Sequence, residues 1–319
     1  RCGISGYAEH PYIRDQYGER MIVARATWLN VALPLEQRLV ALANGATRDV
    51  FAGVRLPRGS RVRLHLALSA DRVGGRAAAE RVASAVRAAP EGVSFDDDVA
   101  LVLEGHAGGF AALASAVAVL RAGQATACLV GGVDSYLDAD HLEALDGVGR
   151  LHSTRTRWGF TPGEAAGFCL LATSATAASF TAPPLAEVEA AAIAHESRLL
   201  GARSVNTGEG LSSILREVLS PEERAHHTYC DLNGETYRAD EFALAISRTA
   251  DRFFDVAAFT AAADRWGDVG AASGPLLWAQ AAAAWQRGYA QGSVAITWAS
   301  SADKPLRGAA RLRRASRKE

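Results

Sequence analysis

The side chains in this sequence that could attack a substrate, move a proton or hold a metal are few and unevenly placed. There are four cysteines, Cys2, Cys128, Cys169 and Cys230. A thiol becomes a nucleophile as its thiolate, and a helix N-terminus is one place that favours that form. None of the four stands at such a place. Cys128 and Cys169 lie in apolar runs, where free thiols pack as small hydrophobes. With no CxxC pair, the set signals neither a disulfide framework nor a zinc site. His226 and His227 are neighbours, and neighbours in a strand point to opposite faces, which suits no shared metal. The residue best placed for chemistry is His106, in "VLEGHAGGFAALASAVAVLRAGQ", just ahead of an Ala-rich helical run.

The elements around these residues alternate. "RVRLHLAL" predicts a strand, "RAAAERVASAVRAA" a helix and "DDVALVLEG" a second strand. That alternation implies a parallel sheet with crossover helices. "GGFAALASAVAVLRAGQ" is apolar on most sides, as a buried helix is, with Gly123 as its C-terminal cap. "ATACLVGGVDS" is the next strand, "DADHLEALDGVG" an Asp-capped helix, and "GFTPGEAAGFCLLAT" a glycine-rich turn entering a strand. A second round follows the Pro183-Pro184 punctuation. It has "PLAEVEAAAIAHE" as a strand, "GEGLSSILREVL" as a helix, "HHTYCDLNGE" as a strand with a turn, and "ADEFALAISRTADRF" as a helix. "DVGAASGPLLWAQAAAAWQRG" is another Ala-rich buried helix, and "GSVAITWAS" closes with a strand. The two rounds share their element order, so the chain divides into an N-terminal half, 1–180, and a C-terminal half, 181–319, ending in the basic tail "RLRRASRKE", read as solvated.

Bulk properties narrow the function classes. The 319 residues are 49% hydrophobic and 22% charged, the composition of a folded globular chain. A net charge of −1 lacks the cationic surplus that nucleic acid or an anionic membrane would select. No apolar run reaches the roughly 18 residues a membrane helix requires, and "RCGISGYAEHPYIRDQYGER" lacks the pattern of a signal peptide. A soluble, cytoplasmic protein is expected.

Three blocks carry a resemblance. "GGFAALASAVAVLRAGQATACLVGGVDSYLD", "RWGFTPGEAAGFCLLAT" and "WGDVGAASGPLLWAQAAAAWQRG" resemble, in this order, segments of the β-ketoacyl synthase branch of the thiolase-fold superfamily. They are similar to its nucleophile helix with the following Leu-Val-Gly-Gly-Val-Asp strand, its Gly-Phe-x-x-Gly-Glu-Gly-Ala-Gly segment, and its Gly-His-x-x-x-Ala-Ala-Gly helix. The resemblance spans about residues 60 to 300 and implies an α/β thiolase-like fold, two similar halves in layered α-β-α-β-α order. Residues 4 to 60 match loosely.

That family's chemistry uses a cysteine at the head of the buried helix, two histidines for decarboxylation, and a backbone oxyanion hole near a Gly-Phe-Gly-Gly loop. The resemblance places His106 at the nucleophile position, Asn233 at the first histidine and Asp268 at the second. The segment "TWASSADKPLRG" stands where the glycine loop would be. It also implies supporting positions at Gly108, Phe160 and Glu164, with Glu164 holding turn backbone. No cofactor is implied. If the fold holds, His106, Asn233 and Asp268 converge on one pocket, either as an acid/base group or as a satisfied polar cluster with His106 as a plug. A helix head disfavours imidazolium and Asp268 favours it, so the two act on His106 in opposite senses. Trp158, Phe160, Trp278 and Trp285 are expected to pack in the core.

Three functions compete. The first is a ketosynthase-like protein without condensing activity that serves in binding or assembly. The second is an acyltransferase or thioester-processing enzyme with a rebuilt His/Asn/Asp site. The third is a non-catalytic subunit paired with an active synthase. A homodimer is expected through the strand "ACLVGGVDS", with an acyl carrier protein or a synthase as further partner, and neither nucleic acid nor membrane.

Overall fold

The structure, a computed structural model, describes residues 5–200 and 205–316. In chain order the elements are β1 (Tyr7–Arg14), β2 (Arg20–Ala24), α1 (Leu35–Ala52), β3 (Val62–Ala67), α2 (Ala70–Val73), α3 (Arg76–Ala88), β4 (Phe95–Val102), α4 (Gly108–Arg121), β5 (Ala127–Ser135), α5 (Ala139–Gly147) and β6 (Glu164–Leu171). They continue with α6 (Ser174–Ala177), β7 (Ala186–His195), α7 (Glu209–Val218), β8 (His227–Cys230), α8 (Thr236–Ser247), β9 (Phe259–Ala261), α9 (Ala263–Trp266), α10 (Ser273–Gln286), β10 (Val294–Ser300) and β11 (Leu306–Arg314). Strands β1 and β2 form a hairpin, and the rest make two sheets, ordered β4-β3-β5-β6 and β7-β11-β10-β8-β9.

Three layers of helix enclose these sheets. Helices α1 and α3 cover the outer face of the first sheet with Leu39, Leu42, Val82 and Val86, packed on Leu64, Leu66 and Leu129. Helix α7 covers the outer face of the second with Leu211, Ile214 and Leu215, packed on Ile296 and Ala309. Between the sheets lie α4 and α10, whose Phe110, Leu113, Leu277 and Trp278 share one core with Cys128, Val130, Ala295 and Ala310. The result is the thiolase-like α-β-α-β-α architecture. Alanine and glycine crowd the middle layer because two sheets press on it at once. A Cβ on Gly109 would lie 2.9 Å from Pro275 of α10, and one on Gly132 would lie 2.1 Å from the Ala271 carbonyl oxygen.

Local capping follows the sequence. The Asp138 carboxylate accepts from the His141 N–H at the start of α5. Gly123, at φ 67°, turns the chain after α4 and donates to the Leu120 carbonyl.

Four expectations are corrected. Strand β5 does not offer itself to a second copy: it is parallel to β3 on one side, antiparallel to β6 on the other, and buried along its whole length. The sheet's two edges are β4 and β6. Strand β10 does not end the fold, since β11 follows and runs antiparallel to both β10 and β7. Residues 311–314 of the expected solvated tail therefore belong to a strand: Leu312 is 2% exposed, and Arg311 pairs with Glu189 and Glu223. Alternation decides this, because the leucine falls on the core face of an arginine-rich strand. Trp158 is 72% exposed, whereas Phe160, Trp278 and Trp285 are buried as expected. Its backbone is fixed by Gly159, which packs directly on the backbone of Leu151 and His152, and this turns the indole outward. Cys2 and residues 317–319 lie outside the described residues. Among the described residues, no helix is long and apolar enough to cross a membrane.

One core side chain has a measurable consequence. His65 on β3 is fully buried, with no partner for either ring nitrogen. Strand alternation turns it to the α4 side, away from Leu64 and Leu66. Burial, assisted by the nearby Arg63 guanidinium, lowers its pKa to about 4. The unfolded imidazole titrates near 6.5, so the unfolded chain binds more protons between the two values. Stability is therefore expected to be full above pH 6.5 and to fall as pH drops toward 4, by at most about 3 kcal/mol from this residue. His65→Leu should flatten that slope in urea unfolding measured from pH 7 to pH 4.5; an unchanged slope would show that other groups cause it.

Candidate functional site

The heads of the two middle helices meet, and the site lies there. A 3-10 turn, Gly105–Ala107, leads into α4 and carries His106, which is 3% exposed. A second such turn, Gly270–Ala272, leads into α10, with Asp268 just before it and 4% exposed. Asp268 is held by its backbone as well. Its N–H donates to the Thr161 carbonyl at 2.8 Å, and its carbonyl accepts from the Gly163 N–H at 2.8 Å. Gly267, at φ 70°, permits that approach, since a Cβ there would lie 2.8 Å from the Thr161 oxygen.

The side chains converge on the Asp268 carboxylate. His106 Nε2 lies 2.8 Å from Oδ1 and 3.0 Å from Oδ2. The Gly270 N–H donates to Oδ1 at 2.9 Å, and the Asn233 amide donates to Oδ2 at 2.7 Å. Burial alone would raise this carboxyl's pKa. His106, Arg238 and the Gly270 N–H outweigh it and hold the group well below the usual carboxylate range. An ionised carboxylate only accepts, so His106 Nε2 carries the hydrogen and donates it.

The network runs on to the surface. Asn233 also donates to Glu235 Oε2 at 3.1 Å, Glu235 pairs with Arg150 at 2.8 Å, and Arg150 reaches Asp303 at 3.4 Å. The loop after β10 closes the head of α4. There Ser301 Oγ accepts from the Ala107 N–H at 3.1 Å and donates to the Glu104 carbonyl at 2.5 Å. Lys304 donates to the Leu103 carbonyl at 2.6 Å. Arg307, buried against Glu241, holds this loop by donating to the Ser301 and Lys304 carbonyls. The cavity beside Asp268, lined by Cys230, Asp231, Trp266 and Ser273 among others, has about 10 Å³, room for one water.

The three supporting positions fall nearby in different ways. Gly108 packs tightly, its site for a Cβ being 3.3 Å from Ala67. Phe160 is fully buried, 5.1 Å from the Tyr136 ring and 5.6 Å below Arg150. Glu164 is turned to a different set of partners: it accepts from the Ala26 N–H, from Arg38 at 3.0 Å and from Ser135 at 2.9 Å. The sequence reading anticipated the backbone contact and missed the buried Arg38–Glu164 ion pair. The signal was a guanidinium on the apolar stripe of α1, where Arg38 adjoins Leu39 and Leu42. Glu235, Arg150 and Ser301 were also missed; they stand in unpatterned turns and meet the site through tertiary contact.

The cysteines are poorly placed for nucleophilic work. Burial pushes the Cys128 and Cys169 thiols up to about 12, and raises that of Cys230 as well. Among the described residues, no group of three or more His, Cys, Asp or Glu side chains is placed to hold a metal ion.

Comparison with known proteins bears on the fold that holds this site. A family model described as the β-ketoacyl synthase N-terminal domain matches residues 105–177, the segment from the turn of His106 to the end of α6. Solved structures extend the likeness over the chain. The chain has the fold of a ketosynthase. A chain of the complex between a type II PKS acyl-carrier protein and its ketosynthase bound to the hexaketide is 14% identical, with a TM-score of 0.74 over 98% of this chain and 93% of that one. The ishigamide ketosynthase/chain length factor gives 15% identity and a TM-score of 0.76 over 99% and 93%. An oxazolomycin ketosynthase domain from Streptomyces albus JA3453 gives 16% and 0.68 over 100% and 71%. No curated protein matches the sequence. At these identities the ketosynthase likeness speaks for the fold.

Removing one side of the central pair should be costly. Asp268→Ala leaves a buried imidazole facing an empty acceptor position and is expected to destabilise the protein by about 3 to 5 kcal/mol. His106→Leu leaves the carboxylate unpaired and should cost a similar amount, while the double replacement should cost clearly less than the sum. Urea unfolding of the three variants measures the coupling, and additive losses would show that the pair is not a unit.

Proposed function

We propose that this ketosynthase-like chain, divided into halves at 1–180 and 181–319, works without condensing activity as a binding, assembly or non-catalytic synthase subunit. The observation that carries this reading is the occupancy of the helix head. His106 is bound to Asp268, the Asp268 carboxylate also accepts from Asn233 and from the Gly270 N–H, and the Ser301 hydroxyl takes the Ala107 N–H. Condensation through a thioester would need a thiolate at that head and donors free to meet an oxyanion. A resident imidazole held by a carboxylate supplies neither, and no residue is assigned as catalytic. Asp268 would also repel a developing enolate. Two similar structures, a carrier-protein complex with its ketosynthase and a ketosynthase/chain length factor, support a carrier protein or an active synthase as partner.

A second reading rests on the same convergence: a His-Asp pair with Asn233 in reach is the donor set of an acid/base group, which would make the chain an acyltransferase or a thioester-processing enzyme. Hydrolysis of an acyl thioester that disappears in Asp268→Asn would favour it. The first reading expects no turnover. It also expects His106→Cys to fail at malonyl-thioester decarboxylation, because Asn233 and Asp268 replace both decarboxylating histidines. Decarboxylation by that variant above the uncatalysed rate would overturn the first reading.

The homodimer is proposed through β4. Its edge is open beside a groove of about 270 Å³ lined by Arg76, Glu80, Arg87, Asp97, Val99 and Leu101. Antiparallel pairing of β4 with its copy about a twofold axis sets the Asp97 end of one edge against the Arg76 end of the other. Light scattering at micromolar concentration should give the mass of two chains, and Val99→Lys should halve it with the fold retained. A wild-type mass of one chain would refute the dimer.

A further inference from the structure

The outward turn of Trp158 creates a surface that the fold itself does not use. Val148 and Trp158, at the two ends of one loop, are each 72% exposed, and Tyr17 is 45% exposed. The tip of the β1–β2 hairpin holds this loop in place. Thr154 donates to Glu19 at 2.8 Å, the Gln16 N–H donates to Asp146 at 2.6 Å, and Arg155 lies over the Tyr17 ring at 4.5 Å. Shape is also fixed inside the loop. The His152 N–H donates to the Phe160 carbonyl, the Phe160 N–H donates to the Arg150 carbonyl, and the Ser153 hydroxyl accepts from the Thr156 N–H.

Its charge is one-sided. From Val148 to Trp158 the sequence has Arg150, Arg155 and Arg157 and no acidic residue. Arg150 is committed to Glu235 and Asp303. The neighbouring carboxylates of Asp15 and Glu19 are engaged with backbone N–H groups and with Thr154. Two exposed guanidiniums thus flank an exposed indole on a fixed backbone. Trp, Tyr and Arg are the residue types that concentrate binding energy at interfaces, and here they occur together on one loop and the hairpin tip that holds it. The patch also adjoins the site: Gly159, next to Trp158, lies against Gly234, next to Asn233.

We propose that Val148, Arg155, Arg157, Trp158 and Tyr17 form the docking surface for an acidic protein partner, whose carboxylates meet the two guanidiniums around an apolar contact on Trp158. This inference rests on the reading of the chain as a partner of a carrier protein, and it adds the place of contact and the charge that contact requires.

The experiment uses the full chain and a purified apo acyl carrier protein as probe, with titration calorimetry at low and at moderate salt. Wild-type protein is expected to bind, more weakly as salt rises. Arg155→Glu with Arg157→Glu should weaken binding about thirtyfold, mainly at low salt. Trp158→Ala should weaken it about tenfold at both salts. Arg121→Glu, at the far end of α4, should change it less than about twofold, and thermal unfolding confirms that each variant is folded. Binding of the double variant within twofold of wild type would overturn the docking surface while leaving the carrier partner in place. No binding by folded wild-type protein at about 200 µM would overturn the acidic carrier as the occupant and the carrier-partner reading with it.

Discussion

Two sheets pressing on one pair of helices is the constraint from which the rest of this structure follows. Helices α4 and α10 lie between the sheets with their heads in contact, close enough that a Cβ on Gly109 would lie 3.4 Å from the Gly274 Cα. The small residues of both helices are a consequence of that spacing. The electrostatics are a consequence too, because two helix N-termini bring two positive dipole ends to one point. An anion belongs there, and the Asp268 carboxylate supplies it from within the chain, accepting the Gly270 N–H directly.

His106 is then held by that carboxylate. The carboxylate at 2.8 Å takes an N–H from its ring, and the 3-10 turn before α4 fixes its backbone. The arrangement gives the Asp268 carboxylate three protein donors, His106, Gly270 and Asn233. Ser301 and Lys304 extend the same logic, occupying backbone groups at the turn before α4 with side chains from a loop that Arg307 clamps. These internal contacts are what supports the proposed binding or assembly role.

The buried ion pairs lie in distinct places and hold distinct joints. Arg38–Glu164 ties α1 to the start of β6, Arg72–Asp134 ties α2 to β5 and accepts the Ala271 N–H, and Arg307–Glu241 ties β11 to α8. Each joins elements distant in sequence, where loss of one partner would strand a charge in the core. The tertiary arrangement of the site depends on these joints as much as on the apolar packing between layers.

By itself the sequence determined most elements of the fold and the order of its two rounds, because hydrophobic period and glycine punctuation are local properties. "GGFAALASAVAVLRAGQ" could only be a buried helix, and "ACLVGGVDS" only a buried strand. The positions His106, Asn233 and Asp268 were legible through their place in recognisable blocks. Tertiary structure decided what no local pattern encodes. It put β3 and β6 on both sides of β5, leaving β4 and β6 as the edges, and it added β11, whose arginines looked like a solvated tail until Glu189 and Glu223 met them from other elements. It turned Trp158 outward, although an isolated tryptophan beside "GF" reads as core. Ser301, Glu235 and Arg38 joined buried networks only because the chain brought them there. Partners far apart in sequence leave no period to read, and it is distance in space, fixed by the packing of five layers, that made them neighbours.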